Sequence, residues 1–178
     1  MNLKKTWNKK FGKSEIITKE NSTLKLVETD MIRLKSGEEK SYGETDTEFG
    51  ILVFGGKCAV FGEDFNFAEV GKRKNVFDGK SECVYIPRNT KFTIKGITEV
   101  SMCVAKSPAQ HDFKPVHIKA EDVIAKNLGK PGWSREAHFI LDERTEADIL
   151  YIGEAWVDGG QWSSYPPHKH DDDNMPFE

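Results

Sequence analysis

Between residues 23 and 105 the chain is written in short β-branched and aromatic runs, each stopped within a few positions by Gly, Pro, Asn or Asp. Runs of that length and composition read as strands, and they leave no stretch of helical period long enough to build a helical domain. Residues 23–28 and 31–34 are the first expected strands, followed by a polar loop over 35–40. Residues 50–54 and 57–61 flank Gly55-Gly56, which reads as a hairpin turn because glycine takes positive φ without steric cost. Beyond the turn at Val76-Phe77-Asp78-Gly79, residues 81–86 form a strand that stops at Pro87, and 92–94 and 100–105 complete the set. About eight short strands suit an all-β barrel or jelly roll.

Composition agrees with a packed domain and narrows its partners. Of 178 residues, 37% are hydrophobic and 11% aromatic, enough for a core. The 26 basic and 29 acidic side chains give a net charge of −3, which excludes a generic polyanion binder and with it a nucleic-acid partner. The longest apolar runs, such as Ile51 to Phe54, are four residues, against the roughly 20 that a membrane helix needs. No apolar signal core follows the charged N-terminal residues, so a cytoplasmic protein with no membrane partner is expected. Cys58, Cys83 and Cys103 are far apart, each inside an apolar run, and read as buried hydrophobes in a reducing compartment.

The character changes at residue 107. Pro108, Pro115 and Pro131 are spread through a polar stretch that reads as a linker or arm. Residues 120–128 suggest a short helix, with Glu121 and Asp122 in its first turn and Gly129 closing it. Strand-like sequence resumes at 137–141 and 149–157, and after Gly159-Gly160 the chain runs through Pro166-Pro167 into His168-Lys169-His170.

On an extended strand His168 and His170 point to one face. Two imidazoles at that spacing can take neighbouring positions on a divalent first-row ion. The plainer reading is a solvated loop ahead of Asp171-Asp172-Asp173, and spacing alone does not decide between them. The stiff Pro166-Pro167 entry favours the ligand reading, since it holds the pair at little further entropic cost.

The run Trp162-Ser163-Ser164-Tyr165-Pro166-Pro167-His168-Lys169-His170-Asp171 resembles the signature of the bacterial 5-deoxy-glucuronate isomerases of myo-inositol catabolism. Looser similarity extends through residues 149–157, the Phe77-Asp78-Gly79 turn, the Val84-Tyr85-Ile86-Pro87 strand end and Ser107-Pro108-Ala109. The resemblance implies a bicupin, with two double-stranded β-helix (jelly-roll) barrels in one polypeptide. The expected division is an N-terminal barrel without a metal motif over 1–108, a linker or arm over 109–133, and the opening strands of an incomplete second barrel over 134–178. The implied reaction is the metal-assisted conversion of 5-deoxy-glucuronate to 5-dehydro-2-deoxy-gluconate. The alternatives are a related uronate ketol-isomerase and a non-catalytic cupin that binds a ligand.

Carried over by residue, the resemblance makes His168 and His170 two ligands of a divalent ion, with Zn, Mn, Fe and Ni all compatible. The family pattern wants a Glu separated from the pair by three or four residues, where this chain has Asn174 and Met175, and a later His that is missing. The sequence therefore reads as truncated within the second barrel. The first barrel has no histidine in its 37–48 loop or in Pro87-Arg88-Asn89-Thr90-Lys91-Phe92, so no metal is expected there. An anionic sugar acid calls for a basic partner, and Arg135 is the candidate, with a plain surface arginine as the other reading. None of His111, His117 and His138 is singled out as a base. A homo-oligomer is compatible with the family.

Overall fold

The computed structural model describes residues 5–43 and 46–165. Apart from one short 3-10 turn at Ala120–Asp122, its regular structure is all strand, in three antiparallel sheets. The first barrel is built by β1 (Gly12–Ile17), β2 (Glu28–Leu34), β3 (Glu39–Tyr42), β4 (Thr47–Gly55), β5 (Cys58–Gly62), β6 (Asn66–Val70), β7 (Cys83–Ile86), β8 (Phe92–Gly96) and β9 (Val100–Pro108). Then come β10 (Val116–Ile118), β11 (Ile124–Lys130), β12 (Trp133–Leu141) and β13 (Ile152–Trp156). One sheet has the order β1-β2-β9-β4-β7-β10, the second β3-β8-β5-β6, and the third β11-β12-β13. The fold class is the all-β cupin type expected from the sequence.

The six- and four-stranded sheets face each other across a core that includes Ile32, Ile51, Val60, Ile86, Ile94 and Met102. Strand alternation supplies it, since Phe49, Ile51 and Val53 of β4 and Val84 and Ile86 of β7 point inward. The alternate residues of the same strands, Leu52 of β4 and Cys83 and Tyr85 of β7, are also buried, in a second core with Ile118, Ile140, Leu141 and Leu150. The six-stranded sheet is thus covered on both faces, by the barrel interior on one side and by the C-terminal strands on the other. Each aliphatic side chain fully buried there contributes about 1.5–3 kcal/mol.

A buried carboxylate fixes this second packing. Glu48, on the outer face beside Leu52, accepts the Tyr85 hydroxyl at 2.9 Å and the backbone N–H groups of Asp148, Ile149 and Leu150 at 2.8, 2.7 and 2.7 Å. Asp148 in turn accepts the N–H groups of Gln110 and His111 and pairs with His111 Nδ1 at 2.8 Å. That set, led by the His111 hydrogen bond, holds the Asp148 carboxyl down at about 2. A second tie is the two-pronged pair from Arg73 to Glu154, at 2.8 and 2.5 Å, with the arginine side chain 2% exposed.

Three expectations from the sequence change. Gly55-Gly56 is not a hairpin turn, because β4 and β5 lie in different sheets. It is a corner where the chain crosses from one sheet to the other, and a Cβ on Gly55 or Gly56 would stand 2.4 Å from the Lys74 carbonyl or 2.1 Å from that of Glu99. Residues 120–128 are not a helix: after the 3-10 turn the chain extends, and β11 pairs with β12 from Ile124↔Phe139 to Lys130↔Trp133. Cross-strand pairing along seven residues outweighs a weak local helix preference. The first strands also differ, since 23–27 lie outside any strand while β1, β3 and β6, polar in sequence, are strands. Within residues 109–133 the chain adds β10 to the six-stranded sheet and closes β11 on β12 through Pro131-Gly132, with Gly132 at φ 91°.

Gly56→Ala is expected to destabilise the protein by roughly 1–3 kcal/mol, since it combines φ of 90° with a backbone collision. Gly37→Ala, at φ 83° in open space, should cost only about 1 kcal/mol. Urea unfolding midpoints measure both, and equal losses would refute the corner argument. Glu48→Gln should cost about 2–3 kcal/mol by removing a charged acceptor from four donors. Because the Asp148 carboxyl is depressed to about 2, its contribution is complete above the ordinary carboxylate range and is lost as pH falls toward 2. The stability difference between the native protein and Asp148→Asn should therefore shrink between about pH 5 and pH 2.

Candidate functional site

The segment that leads to His168 and His170 is held against the start of β12. The Ser134 hydroxyl donates to Gln161 Oε1 at 2.6 Å, the Ser134 N–H reaches the same oxygen at 3.3 Å, and Trp162 N–H donates to the Gly132 carbonyl at 3.1 Å. Arg135 Nη1 donates to the Ser163 carbonyl at 2.7 Å. The tight Pro131-Gly132 turn makes this possible by ending the β11-β12 hairpin at the point where the returning chain passes. His168 and His170 themselves lie outside the described residues.

Arg135 shares its face of β12 with Ala137 and Phe139, and the facing positions of β11 are Leu128, Lys126 and Ile124. The opposite face carries Glu136, His138 and Ile140, turned toward the six-stranded sheet with Glu154 and Trp156 of β13. The structure thus brings Arg135 to the Gln161–Ser163 segment and places His138 on the other side of the same sheet.

Each of the three described histidines is engaged with a carboxylate. His138, whose side chain is buried, has Nε2 at 2.6 Å from Glu136 and its ring 4.6 Å from that of Trp156. His117, on β10, has Nε2 at 2.8 Å from Glu82. Burial pushes the Glu82 carboxyl up, but the hydrogen bonds from His117 and the Gly71 N–H, with the charge of Lys72, outweigh it and leave it at about 2. His111 is exposed and tied to Asp148. None of the three stands on the Arg135 face of β12.

The cysteines are free thiols. Burial raises Cys58 and Cys83 to about 12 and Cys103 to about 11, which keeps them protonated and poor nucleophiles. Among the described residues no group of three or more His, Cys, Asp or Glu side chains is placed to share a metal ion. The described residues by themselves therefore do not fit a metal ion.

Sequence reasoning missed the polar groups that set this arrangement: the buried Glu48, Arg73 and Glu82 and the half-buried Asp148 and Glu154. Glu48 lies within β4 and Glu154 within β13, and Arg73, Glu82 and Asp148 stand between strands, all positions where an ionised side chain ordinarily faces water. The one local signal was Glu48, which directly precedes the apolar run of β4.

Comparison with known proteins places this geometry. The model of the KduI/IolB family matches residues 4–178. A 5-deoxy-glucuronate isomerase of Bacillus velezensis is 36% identical over 164 residues, covering 91% of this chain and 60% of the relative. One from Listeria innocua is 39% identical over 167 residues, with coverage of 91% and 60%. The chain thus spans about 60% of the length of these curated relatives. The crystal structure of an IolB-like protein from Salmonella typhimurium LT2 superposes with a TM-score of 0.84 at 25% identity, over 89% of this chain and 61% of that one. With a family model matched from residue 4 to residue 178 and the same arrangement of sheets in a solved relative, the chain belongs to the KduI/IolB family.

Proposed function

We propose that this protein serves the aldose-ketose isomerisation of 5-deoxy-glucuronate to 5-dehydro-2-deoxy-gluconate in inositol degradation. The observation that carries the reading is the identity of 36% across 91% of the chain with a curated 5-deoxy-glucuronate isomerase. The geometry supports it at one place, where the start of β12 grips the segment that enters His168 and His170.

In this reading His168 and His170 are two ligands of a divalent ion, Zn, Mn, Fe or Ni, on the strength of their i, i+2 spacing and the signature they share with the family. When bound, such an ion polarises the substrate carbonyl. Arg135 supplies positive charge for the substrate carboxylate. Its bond to Ser163 uses one of five guanidinium donors, and the fork can take a carboxylate along another edge. The proton that passes between neighbouring carbons needs a base, and His111, His117 and His138 are not assigned to it because their carboxylate partners hold them elsewhere. The three free thiols accord with a cytoplasmic location. No described helix is long and apolar enough to cross a membrane. The partner is a small-molecule sugar acid, with assembly into a homo-oligomer.

An assay of ketose formation from 5-deoxy-glucuronate tests the proposal. Conversion should be abolished by a chelator and restored by added divalent metal. His168→Ala and His170→Ala should each lower kcat/KM by more than the roughly 10- to 100-fold that loss of an outer-shell partner costs. Arg135→Ala should raise KM by about tenfold or more, the value of a hydrogen bond to a charged group, with partial rescue in Arg135→Lys. No conversion in the presence of metal, or conversion indifferent to chelation, would sink the reading.

A further inference from the structure

Phe77 is the most exposed large hydrophobic side chain among the described residues, at 82%. It lies in the Phe77-Asp78-Gly79 turn, a part of the resemblance to the family that the site above does not use. Three hydrogen bonds close the turn. Phe77 N–H donates to Asn75 Oδ1 at 2.9 Å, Lys74 N–H to Asp78 Oδ2 at 2.9 Å and Asp78 N–H to the Asn75 carbonyl at 3.0 Å. The buried Arg73 anchors it to the sheet, bonding the Val53 carbonyl at 3.2 Å and the Gly79 carbonyl at 3.3 Å. A ring carried on so fixed a backbone has already lost much of the conformational entropy that docking it would otherwise cost.

Beside this knob is a hole. At the Gly55 corner, Val76 lines an open cavity of about 350 Å³ with Trp7, Phe54 and Val100, and with the exposed Lys9 and Lys74 at its rim. Arg33 holds the N-terminal wall in place, donating to the Lys9 carbonyl at 2.8 Å and lying 4.5 Å over the Phe11 ring. A cavity of that size admits an aromatic side chain. Its apolar walls favour burial of a ring, and ammonium groups at the rim favour an aromatic ring over an aliphatic chain. Asp78, exposed beside Phe77, supplies a carboxylate that the same two lysines attract.

We propose that two copies of this chain associate about a two-fold axis, with Phe77 of each inserted into the cavity of the other. Knob and hole are neighbours on one surface, so an axis passing between them brings each knob to the other copy's hole. That closes the contact, where a distant pair would propagate an open chain. Each inserted ring buries about 150–250 Å² and covers a similar area of wall, so the two contacts together bury roughly 600–1,000 Å². This is the size of a transient interface, with a dissociation constant on the order of 10–100 µM. The interface involves neither the metal nor the substrate, so it and the isomerase reading can each fail without the other.

Sedimentation equilibrium of the full chain, at loading concentrations from about 10 to about 500 µM, tests the proposal. The native protein should show a reversible association. Phe77→Ala removes an exposed side chain and both contacts, and should weaken association about 100-fold, at about tenfold per knob. Ser101→Phe, which fills the cavity from β9, should act to a similar extent. Lys74→Glu alters only an exposed side chain and sets a second carboxylate against Asp78 of the other copy, so it should weaken association about tenfold. A mixture of Phe77→Ala and Ser101→Phe, each shown by circular dichroism to be folded, retains one knob and one hole and should associate about tenfold more tightly than either variant alone. A native chain that stays monomeric throughout, association unaltered in both Phe77→Ala and Lys74→Glu, or a mixture of the folded variants no tighter than its components would each overturn the proposal.

Discussion

The six-stranded sheet, and β4 at its centre above all, has to satisfy two hydrophobic cores at once. Phe49, Ile51 and Val53 belong to the barrel interior, while Leu52 belongs to the packing against the C-terminal strands. A strand buried on both faces cannot slip by one residue without exchanging the two sets. Its register with β9, from Thr47↔Pro108 through Val53↔Met102, is therefore held from both sides. Gly50 shows how closely the second layer approaches, since a Cβ there would stand 2.2 Å from Ile152 Cδ1. The position of β13, and through it of β12 and the segment beyond, is set by contact with a rigid sheet.

Apolar contact is non-directional, so the orientation of the second layer falls to polar groups. The Glu48 carboxylate gathers three successive backbone N–H groups of residues 148–150, a geometry with little rotational freedom. Arg73 does the same for β13 through both oxygens of Glu154 while also bonding the Val53 carbonyl at 3.2 Å. Both devices place a charge where water is scarce. Each is tolerable because every charged group has a partner of opposite sign or a full set of donors. Removing one member would leave the other buried and unpaired, so these ties specify one arrangement more than they add net stability.

Much of the barrel could be read from residue order alone. The strands of the core alternate or run apolar, and β4, β5, β7, β8 and β9 all fall on segments legible as strands. What escaped has a common cause: it depends on partners distant in sequence. β1 and β3 carry polar side chains at sheet edges, where pairing with β2 or β8 and not hydrophobic pattern makes the strand. β11 looked helical because Glu121, Asp122 and Gly129 are local helix signals, whereas its hydrogen-bond partners arrive only with β12. Gly55-Gly56 was recognisable as a place needing glycine, but the reason lies in carbonyls of residues 74 and 99. Arg135 was singled out by charge, and its tie to Ser163 could not be seen from position 135 alone. The histidine pair was the most visible chemical signal in the chain and falls outside the described residues.

At the end of the first barrel near residues 87–92, Phe92 is buried and stacked on Tyr42, with centroids 4.9 Å apart and planes 11° from parallel, and Phe49 meets it edge-on at 5.1 Å. Such pairs add about 0.5–1.5 kcal/mol beyond area burial. The nearby fully buried acid, Asp30, already has the ammonium groups of Lys106 and Lys13 at 3.2 and 3.4 Å. Rings and balanced charges make that end of the barrel a supporting structure. Its outer face then carries Glu48 and Tyr85, the groups that hold the C-terminal strands. Stability concentrated in the first barrel is what allows the Gln161–Ser163 segment to be fixed by a few hydrogen bonds to the tip of one hairpin.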